Sequence, residues 1–272
     1  MSTQITVGIA QTDARLGDLQ ANLESHLRRI EEARGRGVDL LVFPELSLTG
    51  YRLLHLTGRV AQRPRDSEVI ERILAASEGM KVVVGLVEEN RKGVLYNTAL
   101  LLADGEIAHT HRKLYLPTYG IFQEGRFFGP GESLAPAGDG LGILICEDLW
   151  HPHLARGLAT AGAKIVIVTS AGPGHLGAAD IPESQESWEA LTRSTALVNT
   201  CWVVYCNRVG WEEGSFYTGG SHIVRPGGEI MDRAPFLDEH LLVAEIDTRE
   251  VDRLRWRLPL LHAERTDVEG AP

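Results

Sequence analysis

The segment GILICEDLWHPHLARGLATAGAKIVIV, residues 142–168, decides the fold class because it holds a strand, a helix and a second strand in direct succession. Its first apolar run leads straight into Cys146, two acidic residues follow, and the pattern then becomes helical. Such a succession is typical of α/β proteins. The thiol that ends the first strand has two interpretations: a small hydrophobic side chain in the core, or a nucleophile at the mouth of a pocket.

The same alternation of strands and helices extends to both sides of this segment. Apolar residues from Leu19 to Ala33 recur every three or four positions, which predicts an amphipathic helix that ends near Gly35 and Gly37. Residues 66–78 and about 184–200 predict two further helices. Short apolar runs predict strands at ITVGIAQ, DLLVFPE, KVVVGLVEE, CWVVYCNRV and LLVAEID.

Two hairpins interrupt this alternation and favour mixed sheets over a purely parallel one. An Asp-Gly turn joins YNTALLLA to EIAHTHRK, and a second pair of strands surrounds RPGGE. A long polar loop occupies residues 114–140, and a basic, polar tail follows the last strand. Because the chain contains no linker and no low-complexity segment, we predict one domain over residues 1–272, with about 255–272 as a C-terminal extension.

Composition narrows the class of protein. The chain has 272 residues with 27 Lys and Arg against 37 Asp and Glu, a net charge of −10, which gives no basic surface for nucleic acid. The apolar runs are too short to span a membrane, and the first residues lack the pattern of a signal peptide. Three cysteines are too few for a disulfide framework. We therefore expect a cytoplasmic protein.

Several common site patterns are missing from the sequence. The histidine pairs at 109/111 and 151/153 have no Cys or acidic cluster nearby to complete a zinc site, so we interpret HTH as a solvated strand end and HPH as a helix start. TGGS lacks the lysine of a phosphate-binding loop. Cys201 and Cys206, five residues apart on one strand, face opposite sides and are predicted to be core residues.

Three ionisable residues follow predicted strands: Glu45, Lys113 and Cys146. Taken singly, each is more simply explained as packing or as an ordinary strand-end residue. Together they form a chemical set, because a carboxylate can take the proton of a thiol and an ammonium group can stabilise the oxyanion that thiolate attack creates. Spacing alone does not establish that the three side chains meet.

The segments around these residues resemble the nitrilase, or carbon–nitrogen hydrolase, superfamily. The matching motifs are FPELSLTGY around Glu45, HRKLYLP around Lys113 and ICEDLWHP around Cys146, in the order that the family shows. Supporting likeness at VGIAQTDARLGDLQANL, YNTALLL and GGSHIVRPGGEI extends over nearly the whole chain. The resemblance implies a four-layer α-β-β-α sandwich of two mixed β-sheets, and a homodimer or higher homo-oligomer.

The resemblance also implies an activity: hydrolysis of an amide through a thioester, with no metal or organic cofactor. It makes Cys146 the nucleophile, Glu45 the general base and Lys113 the oxyanion stabiliser, with the backbone N–H of Glu147 as second oxyanion donor. Glu124 matches a second family glutamate that orients Lys113 or the attacking water; the alternative is a solvated loop acid. The remaining predicted substrate-binding residues are Tyr119, Trp150 and Ser170.

The residues after the nucleophile narrow the branch of the superfamily. CED-x-W and YLPTYGIFQEGRFF are most similar to the glutaminase domain of glutamine-dependent NAD synthetases, but no synthetase domain follows within these 272 residues. We therefore expect a free-standing amidase for a small linear carboxamide. The alternatives are a glutaminase subunit that supplies ammonia to a separate synthetase partner and, less favoured because Trp and Glu do not follow the cysteine, a true nitrilase.

Two segments depart from the family pattern. Thr195 and Val198 stand where the family often has an arginine and a glutamate, on a helix that commonly packs at a subunit interface, so the departure concerns oligomeric detail rather than catalysis. The loop of residues 170–188 is individual to this chain and is expected to line the substrate pocket. Trp188 at its end is interpreted as a core residue, with a pocket role as the weaker alternative.

Overall fold

A computed structural model describes residues 3–174 and 183–265 of the chain. The strands, in chain order, are β1 (Gln4–Gln11), β2 (Leu40–Val42), β3 (Lys81–Glu89), β4 (Leu95–Ala103), β5 (Glu106–Arg112), β6 (Leu141–Ile145), β7 (Ile165–Ser170), β8 (Trp202–Asn207), β9 (Val209–Glu212), β10 (Ser215–Thr218), β11 (His222–Val224), β12 (Ile230–Arg233) and β13 (His240–Asp247).

The α-helices are α1 (Leu19–Gly35), α2 (Thr57–Val60), α3 (Glu68–Ala76), α4 (Glu124–Phe127), α5 (Pro152–Thr160), α6 (Glu183–Asn199) and α7 (Arg249–Arg257). Short 3₁₀ segments cover Leu54–Leu56, Pro64–Asp66 and Cys146–Trp150. None of the helices in the described ranges combines the length and the apolar character needed to cross a membrane.

Two mixed sheets form the centre of the molecule. The first has six strands in the order β13-β1-β2-β3-β4-β5, of which β1, β2 and β3 run parallel and the other neighbours pair antiparallel. The second has five strands in the order β12-β11-β8-β7-β6, with a parallel core of β6, β7 and β8. β9 and β10 form a separate hairpin. The predicted mixed α/β class is confirmed.

Alternation along the first sheet shows how the layers stack. On β3, Val83 joins the cluster shared with the second sheet, while Val82 and Val84 join a different cluster with helices α1 and α3. Residues of α5 and α6, among them Leu158 and Ala196, cover the other sheet from outside. The order is therefore helix, sheet, sheet, helix, the predicted four-layer sandwich.

Local chemistry explains where several elements begin. Asp18 and Ser67 cap α1 and α3 by accepting hydrogen bonds from Ala21 N and Ile70 N. Pro152 occupies the first turn of α5, which confirms the interpretation of HPH as a helix start. Asp104 and Gly105, with φ of 53° and 77°, form the tight β4–β5 turn, since two positive φ angles suit such a hairpin.

Two predicted irregular segments contain helices. The loop of residues 114–140 includes the single-turn helix α4, and the polar segment after β13 begins with α7, in which Val251 is the buried residue. Both helices escape a search for apolar periodicity because each buries so few apolar side chains. The helix predicted over about 184–200 is confirmed as α6, with Thr195 buried and Val198 exposed on it.

Candidate active site

Glu45 lies in the segment that follows β2, buried between the two sheets. Oε1 accepts hydrogen bonds from Asn97 Nδ2 and Lys113 Nζ, both at 2.7 Å, and Oε2 accepts one from the backbone N–H of Ala171 at 2.8 Å. The segment approaches β3 closely because Gly85 has no side chain: a Cβ there would lie 2.4 Å from Leu46 N. The carboxylate is thus held in one orientation by three donors.

Lys113 directly follows β5, and its ammonium group is completely buried. Nζ donates to Glu45 Oε1 at 2.7 Å and to Glu124 Oε1 at 2.6 Å. Burial alone would lower the pKa of this amine, but the carboxylates of Glu124 and Glu45 outweigh burial and raise it well above its ordinary value. Lys113 is therefore a permanent cation between two acids.

Glu124 begins α4 and is buried, so the alternative of a solvated loop acid is wrong. Tyr51 Oη donates a hydrogen bond to Oε1, the oxygen that also accepts from Lys113, while Oε2 has no partner among the described residues. Burial raises the pKa of Glu124 to about 7, with Lys113 opposing the shift and Glu45 adding to it. This carboxyl group can therefore gain or lose a proton near neutral pH.

Cys146 stands immediately after β6 as the first residue of a 3₁₀ segment, with φ of +47°. A positive φ is uncommon outside glycine and indicates a sharp, strained turn from strand to helix. Burial and the charge of Glu45 raise the pKa of the thiol well above its ordinary value, while Lys113 and the hydroxyl of Ser170 act in the opposite direction. The thiol is protonated at rest, and although Cys146 packs with the core cluster, the charges of Glu45, Lys113 and Glu124 act on it.

The remaining predicted residues lie around this thiol at different depths. Ser170 ends β7, is fully buried, and its Oγ makes no hydrogen bond of standard geometry within the described residues. Glu147 follows the cysteine, and its Oε2 accepts a hydrogen bond from Tyr119 Oη at 2.7 Å. Tyr119 and Trp150 are largely exposed, and Trp150 meets Trp188 edge to face at 5.6 Å between ring centroids.

Trp188 is 5% exposed and stacks on Tyr205 at 4.9 Å, which confirms its interpretation as a core residue. Cys201 and Cys206 are free and buried, as predicted. The loop that was expected to line the pocket is described at 170–174 and 183–188, and its residues 175–182 lie outside the described part of the chain.

Sequence patterns missed five groups that position the charged residues: the side chains of Tyr51, Asn97, His111 and Asp148, and the Ala171 N–H. The interpretation of HTH as a solvated strand end is wrong for His111, which is 2% exposed and bonds to Asp148 Oδ2 at 2.9 Å. Strand alternation offered a signal, because His111 lies two residues from the buried Lys113 and on the same side of the strand.

The groove with the greater volume and the cluster of buried ionisable side chains lie in different parts of the structure. An open groove of about 980 Å³ lies along the edge of the first sheet, bordered by Arg63, Glu88, Tyr96 and Arg112, whereas a cavity of about 30 Å³ borders Tyr51 and Glu124. The side chains of the groove largely pair with one another, as Arg112 does with Glu88 at 2.6 Å. We place the candidate site at the buried acids and the thiol, because ionisable groups there keep hydrogen-bonding positions that a substrate can occupy.

No group of three or more His, Cys, Asp or Glu side chains that could hold a metal ion occurs in residues 3–174 and 183–265.

The sequence pattern of carbon-nitrogen hydrolases matches residues 6–255. The chain belongs to this family, within the nitrilase superfamily. Among curated proteins, the glutamine-dependent NAD(+) synthetase of Thermotoga maritima is 31% identical over 254 residues, which cover 91% of this carbon-nitrogen hydrolase and 43% of the synthetase. The chain therefore spans less than half the length of the curated relatives that it matches.

Two solved structures share the fold over almost the full length of both proteins. A carbon-nitrogen hydrolase from Helicobacter pylori G27 superposes with a TM-score of 0.85 at 27% identity, covering 98% of this chain and 97% of that one. The amidase of Nesterenkonia sp. AN1 gives a TM-score of 0.80 at 26% identity, covering 97% and 94%. In that structure, of a Glu-to-Gln mutant, the acetamide moiety of fluoroacetamide is covalently added to the active-site cysteine.

Proposed function

We propose that this carbon-nitrogen hydrolase converts a small linear carboxamide to a carboxylate and ammonia through a thioester on Cys146. The observation that carries the proposal is the buried Lys113 ammonium, held 2.7 Å from Glu45 and 2.6 Å from Glu124 beside a protonated thiol. A permanent cation, a base and a nucleophile within one dry cluster are the groups that amide hydrolysis needs. Its likeness to the Nesterenkonia amidase supports the same reaction.

In the acylation half, Glu45 accepts the thiol proton as the sulfur of Cys146 attacks the carbonyl carbon. The negative charge that develops on the carbonyl oxygen is stabilised by the Lys113 ammonium and the backbone N–H of Glu147. N–H groups at the start of a helical segment have no acceptor within it, which suits Glu147 for this role. The C–N bond then breaks, Glu45 returns the proton to nitrogen, and ammonia leaves the thioester behind.

In the deacylation half, Glu45 takes a proton from water, whose oxygen attacks the thioester carbon. The same oxyanion donors act again, the C–S bond breaks, and the proton returns to sulfur. This step restores the thiol and releases the carboxylic acid, which ionises to the carboxylate in water. Glu124 acts by orienting Lys113. Its own position is held by the hydrogen bond from Tyr51, whose backbone lies in the FPELSLTGY segment that carries Glu45.

A panel of short amides, with ammonia release as the readout, tests the proposal. We expect wild-type turnover to fall to the background rate in Cys146→Ala, because no other group in the cluster can form the acyl-enzyme. Cys201→Ala is the matched control, since that thiol is buried among core side chains. Mass spectrometry of the wild type after brief incubation should show the acyl mass on Cys146. Full turnover by Cys146→Ala would refute the mechanism.

A glutaminase that supplies ammonia to a separate synthetase is the second candidate. The likeness to the NAD(+) synthetases supports it, as does the Glu147 carboxylate, which lies next to Cys146 and is fixed by Tyr119 where it could pair with a substrate ammonium group. The kcat/KM for glutamine should then exceed that for simple amides. Glu147→Gln should lower the kcat/KM for glutamine and leave that for an uncharged amide unchanged. Absence of that preference, or of co-purification with a synthetase, counts against it.

The remaining features of the proposal concern its setting. The three free cysteines favour a reducing compartment, the cytoplasm, and a homo-oligomer is proposed from the likeness to the superfamily. The amide is the proposed partner, with no role for nucleic acid or membrane and no cofactor in the chemistry. A true nitrilase would be revealed by turnover of nitriles in preference to the matching amides.

A further inference from the structure

The carboxylate of Asp148 is fully buried and accepts four hydrogen bonds. Oδ1 receives the backbone N–H groups of Leu114 and Tyr115, both at 3.0 Å. Oδ2 receives the backbone N–H of Ile145 at 3.1 Å and faces His111 Nε2 at 2.9 Å. No part of the proposed reaction uses this carboxylate. A buried carboxylate with all of its hydrogen bonds made fixes the positions of the groups that donate to it.

The partners of Asp148 belong to the two segments that carry the reacting groups. Leu114 directly follows Lys113, and Ile145 directly precedes Cys146. β5, which leads into Lys113, belongs to the first sheet, and β6, which leads into Cys146, belongs to the second. One carboxylate therefore joins the ends of two strands from different sheets where the ammonium and the thiol must meet.

We infer that Asp148, with His111 as its buried partner, is a positioning residue that sets the placement of the Lys113 ammonium relative to the Cys146 thiol. The inference rests on the roles proposed for Lys113 and Cys146. Asp148 touches none of the reacting atoms and acts through the backbone on both sides of them. Because Cys146 occupies a strained turn, surrounding bonds must hold that turn in place.

The alternative is that Asp148 only stabilises the fold. The rate of Cys146 alkylation and its pH dependence distinguish this alternative from a positioning role. Asp148→Asn keeps the size of the side chain but turns an NH₂ group toward N–H donors, so the two segments separate. We expect alkylation of Cys146 by iodoacetamide to slow about 10-fold at neutral pH, because a smaller fraction of the thiol is ionised. The pH of half-maximal alkylation should also rise by about one unit as Lys113 moves away.

Variants at His111 and two controls sharpen the test. His111→Leu should slow alkylation and raise its pH midpoint, whereas His111→Gln, which keeps an N–H donor toward Asp148, should restore most of the rate. His109→Gln is the matched control on β5, since His109 is not one of the four hydrogen-bond partners of Asp148. Ile143→Val on β6 lowers the melting temperature through core packing alone and should leave the pH midpoint unchanged.

The inference is overturned if Asp148→Asn lowers the melting temperature but leaves the alkylation rate and its pH midpoint as they are in Ile143→Val. If Asp148→Asn does not fold, the same result for His111→Leu overturns it. Alkylation needs no substrate, so the result is independent of the proposed amidase activity. A wild type that hydrolyses no amide, with the midpoint still shifted in the variants, defeats the proposed function alone. Amide turnover with an unshifted midpoint defeats the positioning role alone.

Discussion

Two buried cations in this protein have similar neighbours, but their clusters differ in the hydrogen-bonding positions that remain open to a ligand. Lys113 lies between Glu45 and Glu124, and Arg208 lies between Glu212 and Asp13, at 2.6 and 3.0 Å. Both cations are almost fully shielded from solvent. They differ in how many of their bonds, and of their partners' bonds, are already used.

The guanidinium of Arg208 is nearly saturated. Nε donates to Val209 O, Nη1 to Glu212, and Nη2 to Asp13 and Ala14 O, and the group lies 4.3 Å over the ring of Tyr217. Its partner Glu212 also accepts the backbone N–H groups of Tyr51 and Arg52. This cluster anchors the hairpin of β9 and β10 to the segment after Glu45 and uses four of the five guanidinium N–H groups. Both carboxylate oxygens of Glu212 are occupied as well.

The Lys113 cluster keeps open hydrogen-bonding positions. Within the described ranges, Nζ has two acceptors for three N–H bonds, and Glu124 Oε2 has no partner. The thiol of Cys146 lies close enough for its charge to interact with that of Lys113. The comparison teaches that a buried ion pair is structural where its bonds are complete, and a candidate for chemistry where donors and acceptors remain open.

Lys113→Met should give the largest effect. We expect ammonia release to fall by about 10⁴-fold, because the change removes the proposed oxyanion partner and the cation that bonds to both Glu45 and Glu124. Lys81→Met, at a lysine paired with Asp139 near the surface, is the control and should keep wild-type rates. The comparison fails if Lys113→Met, shown folded by circular dichroism, retains a substantial rate.

Arg208→Met should act on stability instead of chemistry. Leaving Glu212 as an unpaired buried charge should lower the free energy of unfolding by about 3–5 kcal/mol, measured by urea denaturation. The rate per folded molecule should stay within about threefold, under ~1 kcal/mol in barrier. Arg249→Met, in an exposed pair with Asp247, is the control and should leave the free energy of unfolding close to the wild-type value. A large loss of rate in folded Arg208→Met would contradict the assignment.

Glu124→Gln should change how stability depends on pH. Folded Glu124 keeps its proton up to a pKa of about 7, because of burial, whereas an unfolded glutamate loses it near 4.5. Between these values the folded state binds more protons, so this residue makes stability fall as pH rises. In Glu124→Gln the fall in unfolding free energy from pH 5 to pH 8 should shrink by roughly 2–3 kcal/mol.

Glu132→Gln, at an exposed acid in the same loop, is the control for that measurement and should reproduce the wild-type curve. Identical pH dependence in Glu124→Gln and in the wild type would mean that Glu124 is ionised in the folded protein at every pH tested. Lys113 would then have a second fixed anion, and its cluster would resemble that of Arg208 more closely.

Patterns in the chain predicted elements best where burial is periodic. β3 begins and ends at Lys81 and Glu89 as predicted, and α1 ends at Gly35, within the predicted range of Gly35 to Gly37, because each presents a continuous apolar face. Short elements with few buried residues, α4 and α7, were not predicted. At the site, motif likeness selected Glu45, Lys113, Glu124 and Cys146, and the structure brings the first three into direct contact with the thiol beside them.

What the sequence determined by itself is the alternation of strands and helices, the mixed character of the sheets, and the residues that end β2, β5 and β6. Only the tertiary structure decided which acid pairs with which cation, that His111 turns inward to Asp148, and that Tyr51 bonds to Glu124. Periodicity is a local property of the chain. The choice of a hydrogen-bond partner is made between segments far apart in sequence, once burial has removed the water that would otherwise satisfy each polar group.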